Sequence, residues 1–358
     1  MGKISFCITC MNRLSHLQAT LEKNILDNFL IDNVEFVVLD YNSQDGLSDW
    51  IHDYMGKYIK MGILVYYKTI EPIHYLRSHS RNMAFLLAKG DIVCNLDADN
   101  YLGKGFAQFM LEAFYNEQHI FYTSDLHSGD AFGRVCLTKE DFISVRGYNE
   151  SLIGYGVEDA ELFNRLINKG LKQKIFNQPE FYNVITHSDE DRISHEPQFI
   201  GLHKVFLNYI NPYTTRILLL YKCHRCESGI IVNNIELNYN LLNRTKGVMY
   251  SMDEREKVII KGNWEKGEWK DTKQNIILTF NDGRILLNKG DKGLYTKRKI
   301  YYEIVNPTLI VTIILVVTSA LNFMKAQKAI RDNESINPNG FGKGNVYKNF
   351  DFNNLIQL

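Results

Sequence analysis

Asp97 and Asp99 stand one residue apart at the end of an apolar run, Ile92-Val93-Cys94-Asn95-Leu96. Side chains at i and i+2 of an extended segment point to the same side, so the two carboxylates face one ligand. Neighbouring carboxylates repel, and a hard divalent cation with oxygen ligands relieves the repulsion. A second acidic pair, Glu158-Asp159, follows Gly154-Tyr155-Gly156-Val157 and opens a helical pattern. The positive end of a helix dipole favours carboxylates there, and the glycines let the preceding backbone bend close to a ligand. Arg13 and Arg81 carry the planar fork that grips phosphate oxygens two at a time.

Alternating strands and helices must position these groups. Strand patterns cover residues 4–10, 35–41, 63–68 and 91–96, and helical patterns cover 13–28, 47–58 and 76–89. That alternation predicts parallel strands, right-handed crossovers and helices on both faces. Runs at 120–124 and 134–137 read as an antiparallel addition, and 158–169 as a further helix. Ligands of such α/β sheets bind outside the carboxyl ends of the strands. Thr9, Asp40, Asn42 and Asp97 fall at those ends.

The chain has 358 residues, 45% apolar and 23% charged, which suits a soluble globular protein with a large core. Basic and acidic residues balance at 41 each, which argues against a nucleic-acid partner. Cys7 and Cys10 sit on opposite faces of one strand pattern, which argues against a zinc ion shared with Cys223 and Cys226. Free thiols and the lack of a secretory pattern at the start predict a cytoplasmic setting.

Beyond residue 197 the texture changes. Residues 197–247 read as a helical linker, and 248–302 as hairpins around turns such as Asp282-Gly283, with Trp264 and Trp269 in a small core. The expected division is 1–196, 197–247 and 248–358. The most apolar window, 309–317, is mostly β-branched and reads as a buried strand followed by a helix at 319–331, rather than as a membrane span. Lysines in this last third allow a peripheral meeting with an anionic membrane on its cytoplasmic face, and 337–342 reads as a loop.

Five segments, in order, resemble family 2 glycosyltransferases of the GT-A type. They are Cys10-Met11-Asn12-Arg13, Leu39-Asp40-Tyr41-Asn42-Ser43, Ser80-Arg81-Asn82-Met83-Ala84, Asp97-Ala98-Asp99 and Gly154-Tyr155-Gly156-Val157-Glu158-Asp159. The last is similar to the Gly-Trp-Gly-x-Glu-Asp signature of β-1,4-galactosyltransferases and chondroitin-type polymerases, with Tyr155 in place of tryptophan. The resemblance covers residues 1–200 and implies a GT-A (Rossmann-like) α/β fold with a mixed, mostly parallel sheet and flanking helices. The last third then forms a small β-rich appendage.

The resemblance also implies roles. Asp97, Asp99 and His187 would hold Mn2+ or Mg2+, and Asp97 would also touch the donor. Thr9, Arg13, Asp40, Asn42 and Arg81 would hold the nucleotide and diphosphate of a UDP-sugar. Asp159 would be the general base of an inverting displacement, and Glu158 would contact donor or acceptor hydroxyls. The implied acceptor is a glycan, as a surface polysaccharide or lipid-linked oligosaccharide.

Overall fold

The computed structural model describes residues 2–29, 33–125, 131–211, 214–232 and 259–358. Two compact units emerge. One comprises Met1–Ile153, Val157–His187 and Asn333–Leu358, and the other Gly154–Gly156 and Ser188–Asp332.

In the first unit, β1 (Ile4–Cys10), β2 (Val34–Tyr41), β3 (Leu64–Thr69) and β4 (Ile92–Asn95) run parallel in the order β3-β2-β1-β4. The connecting helices are α1 (Leu14–Asn28), α2 (Leu47–Lys60) and α3 (Arg77–Leu87). β1 is flanked by β2 on one side and β4 on the other, so the strand order reverses beside it and opens a crevice at the carboxyl ends. The central strands are buried on both faces, which is why they read as continuous apolar runs. Phe6, Ile8 and Cys10 pack into one face, and Cys7, Val37 and Leu39 into the other. Burying each large apolar side chain contributes about 1.5–3 kcal/mol.

The sheet continues beyond β4 with β5 (Ile120–Thr123), β6 (Val135–Thr138) and β7 (Lys172–Ile175), in the order β4-β6-β5-β7. β6 is antiparallel to both β4 and β5, as expected, whereas β7 returns parallel to β5. Helices α4 (Phe106–Asn116), α5 (Lys139–Ser144) and α6 (Glu158–Asn168) complete this half.

The far edge departs from expectation. The supposed loop tail lies across the first unit and then supplies its last two strands, treated below as β16 (Asn345–Lys348) and β17 (Asp351–Gln357). β16 pairs antiparallel with β3, and β17 with β16. The sheet is therefore mixed and mostly parallel, as expected: only β6 and β16 run against the other strands. Asn337 donates to the carbonyls of Arg146 (2.7 Å) and Tyr148 (2.8 Å), and Gly342 N–H to Glu150 (2.7 Å). Asn349 bonds both backbone groups of Tyr66, and Phe350 stacks on its ring at 4.7 Å. Sequence reading missed this because the tail's strand signal is short and Asn-rich.

The second unit is a closed eight-stranded antiparallel barrel. Its strands are β8 (Leu202–Asn211), β9 (Thr214–Tyr221), β10 (Arg225–Val232), β11 (Ile259–Asp271), β12 (Asn275–Phe280), β13 (Gly283–Gly290), β14 (Gly293–Tyr295) and β15 (Ile300–Ile304). Three strands thus replace the expected helical linker over 202–232, and residues 233–247 lie outside the described part. Leu218, Leu220, Trp269, Leu278 and Leu287 form one core. Trp269 donates to Tyr221 O at 2.9 Å, and Trp264 to Glu227 at 2.9 Å. Both tryptophans are packing residues.

The window 309–317 is helical, a second correction. The helix Pro307–Arg331 begins with Asn306 accepting from Leu309 N–H (3.1 Å) and with proline at its first position. That Asn-Pro pair is a helix-start signal, and it overrides the β-branched propensity. The helix is long and apolar enough to cross a membrane by length and composition. Val311, Ile313, Ile314, Val316 and Val317 are buried in one cluster with Val205, Leu207, Ile217 and Leu219 of β8 and β9.

Candidate active site

Turn chemistry at the ends of β1 and β2 fixes one side of the site. Asn12 and Asn42 sit in the left-handed region, at φ 54° and 63°, which asparagine tolerates better than most residues. Asn12 Oδ1 accepts from Gln44 N–H (2.6 Å), and Ser43 Oγ accepts from Asn12 N–H (3.0 Å), so the two loops are knitted together. Asp40 is fully buried. Its carboxylate accepts from Ser43 N–H (2.7 Å) and Tyr66 OH (2.6 Å) and pairs with Lys68 at 3.3 Å. This donor-side candidate therefore holds the loop and does not face solvent. Asn42 donates to Pro72 O at 2.8 Å, Arg13 precedes α1, and Thr9 meets Tyr75 OH at 2.9 Å.

The acidic pairs meet a single arginine. Arg81, only 2% exposed on α3, donates to Asp159 Oδ1 (2.9 Å) and Asp97 Oδ1 (3.2 Å), and lies 3.8 Å from Glu158. Its guanidinium is turned to carboxylates rather than to the crevice. Arg77 lies 3.4 Å from Glu158 and over the Tyr75 ring, which links this cluster to Thr9. Gly133 admits the cluster. A Cβ there would stand 3.0 Å from Arg81 Nη2, 3.2 Å from Asp159 and 3.3 Å from Asp97. Sequence reading passed over Gly133, and also over Tyr148, whose ring lies beneath Arg81 at 5.4 Å.

These surroundings separate the two aspartates. Burial pushes Asp97 up, but Arg81 and then Asn95 outweigh it and hold the carboxyl below the usual range. Burial pushes Asp159 up to about 6, with Glu158 and Asp97 adding and Arg81 and Arg77 opposing. Two carboxylates sharing one arginine are thereby set to titrate in different pH ranges, the pattern that separates acid and base roles.

Backbone strain lies immediately before the pair. Val157 has φ 81°, a conformation disfavoured for a β-branched residue. Such strain costs on the order of 1–3 kcal/mol and persists where the surroundings over-determine the fold. Within the second unit, Gly156 O accepts from Asn322 (3.0 Å) and Tyr155 O from Ser319 (3.2 Å).

Asp99 meets His187, not Asp97. His187 Nε2 lies 2.8 Å from Asp99 Oδ2. The segment carrying His187 is drawn in by Ile185 N–H bonding Asp99 O (2.8 Å), and by Tyr101 N–H bonding Asn183 O (2.9 Å). Buried Arg134 donates to the carbonyls of Phe181 and Tyr101, and it is a positioning residue that sequence reading missed. Among the described residues no three His, Cys, Asp or Glu side chains converge as a metal cage. Asp99 Oδ1 is nevertheless buried without a hydrogen-bond partner among the described residues. An unpartnered carboxylate oxygen beside an imidazole fits a divalent cation that takes its remaining ligands from phosphate and water. His203 instead stacks on Trp269.

Removing Arg81 leaves buried Glu158 and Asp159, and half-buried Asp97, short of a counter-charge. Arg81→Leu is expected to destabilise the protein by about 3–5 kcal/mol, the scale for breaking a buried pair. Chemical denaturation of the variant measures it.

Residues 121–188 match the sequence model of a family described as the N-terminal domain of galactosyltransferase. Gly133, Glu158, Asp159 and His187 lie in that stretch. The chain is similar to a mannosyltransferase from Pyrobaculum calidifontis in complex with GDP-Man and Mn2+ (15% identity over 49% of this chain and 55% of that one, TM-score 0.42). It is likewise similar to S. aureus TarS 1-349 (15% identity, 56% and 64%, TM-score 0.42). A third is the catalytic domain of Drosophila β-1,4-galactosyltransferase 7 in complex with xylobiose (15% identity, 55% and 75%, TM-score 0.39). The chain spans 55% and 64% of the first two structures, under two thirds of each.

Proposed function

We propose that the chain is a GT-A glycosyltransferase, an inverting, metal-dependent enzyme that moves a hexose or N-acetylhexosamine from a UDP-sugar to a glycan acceptor. The observation that carries this reading is Asp159, a buried carboxylate raised to about 6 beside a low-lying Asp97 and fixed by Arg81. The match of residues 121–188 to a galactosyltransferase family model supports the same reading.

Asp159 takes the proton from the acceptor hydroxyl as its oxygen attacks the anomeric carbon, and the bond from that carbon to the diphosphate oxygen breaks on the opposite face. One displacement inverts the configuration. A carboxylate with a value near 6 is largely ionised at neutral pH yet basic enough to hold the proton it receives. Arg81 keeps the carboxylate aimed, and Glu158 meets sugar hydroxyls. Asp99 and His187 would hold Mn2+ or Mg2+, whose Lewis acidity supports the departing diphosphate. Thr9, Asn42 and Arg13 line the donor side, with Asp40 shaping the loop that carries Asn42.

Slow donor hydrolysis tests this without a known acceptor. UDP release from UDP-galactose, UDP-N-acetylgalactosamine and UDP-N-acetylglucosamine is measured with Mn2+ and with EDTA. The expected result is release from one of these donors that EDTA stops. No release from any UDP-sugar, or release indifferent to EDTA, overturns the reading.

A further inference from the structure

The two ends of the barrel in the second unit differ chemically. Antiparallel register places the β12–β13 and β14–β15 turns, the end of β8 and the start of β11 at one end. Lys297, Arg298 and Lys299 form the β14–β15 turn, and Arg284 and Lys261 stand close to the same end, all exposed. Asp282 is the only acidic residue in those turns and strand ends among the described residues. None of the five cations has an ion pair among the described residues. At the opposite end Lys204 pairs with Glu303 at 2.9 Å and Lys289 with Asp271, and Asp271 and Asp291 stand in the same turns as Lys273 and Lys292.

Apolar side chains accompany the free cations. Ile300 and Tyr302 point outward on β15, and Tyr209 and Ile210 end β8, all exposed. The Tyr209 and Tyr302 rings lie 6.4 Å apart, and Asn208 bonds Ile300 O at 2.9 Å, so these residues form one patch beside the basic turn. Thr296 Oγ1 accepts from Lys299 N–H at 3.1 Å, which holds the turn in shape.

We propose that this end of the barrel docks on an anionic lipid bilayer. The cations complement lipid phosphates, and tyrosine and isoleucine beside them suit the headgroup boundary, where amphipathic and aliphatic side chains partition. A soluble polyanion would use the cations but would leave the apolar patch unexplained. The apolar helix Pro307–Arg331 is not the contact, because it has no exposed residue from Leu309 to Leu321.

Flotation of the full chain with phosphatidylcholine vesicles, with and without about a third phosphatidylglycerol, tests this. Binding is expected only with phosphatidylglycerol and is expected to weaken with salt. Lys297→Ala/Arg298→Ala/Lys299→Ala is expected to lower partitioning about 10²-fold, at roughly fivefold per charge. Lys270→Ala/Lys273→Ala, at the opposite end, is expected to bind as wild type. Tyr302→Ser is expected to remove the binding that survives high salt. Equal loss in both charge variants, retained binding in the triple variant, or binding to heparin without binding to vesicles overturns the proposal.

Discussion

Asp159→Asn is expected to lower transfer about 10²–10⁴-fold, the range for removing a general base, while UDP affinity holds. The amide keeps the shape and still accepts from Arg81, but it cannot take a proton. Wild-type transfer should rise with pH through about 6, the value to which burial raises the Asp159 carboxyl, and that limb should vanish in the variant's residual rate. The same shift predicts an unusual stability effect. A carboxyl whose folded value lies above its unfolded one favours folding while protonated, and this contribution is lost as pH rises from the ordinary carboxylate range through about 6. The variant's gain in melting temperature over wild type should therefore be larger near neutral pH than near pH 4. A collapse of UDP affinity in Asp159→Asn would show instead that Asp159 serves the donor site.

Asp99→Ala is expected to bring transfer down to the level of wild type in EDTA and to erase the Mn2+ dependence of UDP binding. Asp99 has one carboxylate oxygen on His187 and the other buried without a partner among the described residues. Its removal takes away the anionic ligand, and the imidazole alone is a weak hold for a hard cation. His187→Ala should lose less and shift the metal preference toward Mg2+, which favours oxygen ligands. Calorimetric titration of UDP with and without Mn2+ checks both. Full activity of Asp99→Ala in EDTA would remove the metal from the reading.

The first half of the fold was legible because its strands are buried on both faces and its helices carry clear periodicity. The predicted range 4–10 matches β1, and 35–41 differs from β2 by one residue. Asp97, Asp99, Glu158 and Asp159 were visible as pairs because their spacing is local. How the pairs divide was not. Arg81 reaches across 78 residues to Asp159, and His187 reaches back 88 to Asp99, so Asp97 and Asp99 end with different partners. Long-range register of this kind leaves no periodic trace. The barrel was half legible, because β8 to β10 read as a helical linker, and the apolar helix was not, because its β-branched content points to a strand while its start signal is the single pair Asn306-Pro307.

The tail has a consequence for how the molecule is made. β3 ends at Thr69, and its neighbour β16 begins at Asn345, after the entire barrel has been synthesised. During translation the edge of β3 stays open, with unpaired backbone groups that invite misplaced strands. His79 waits equally long, since its Nε2 lies 2.8 Å from Lys343 O while its Nδ1 lies 2.7 Å from Tyr41 OH. The barrel, by contrast, closes on residues contiguous in the chain. A ribosome therefore releases a finished barrel before a finished sheet, and the loop anchored by Asp40 and Tyr66 is the last part to set.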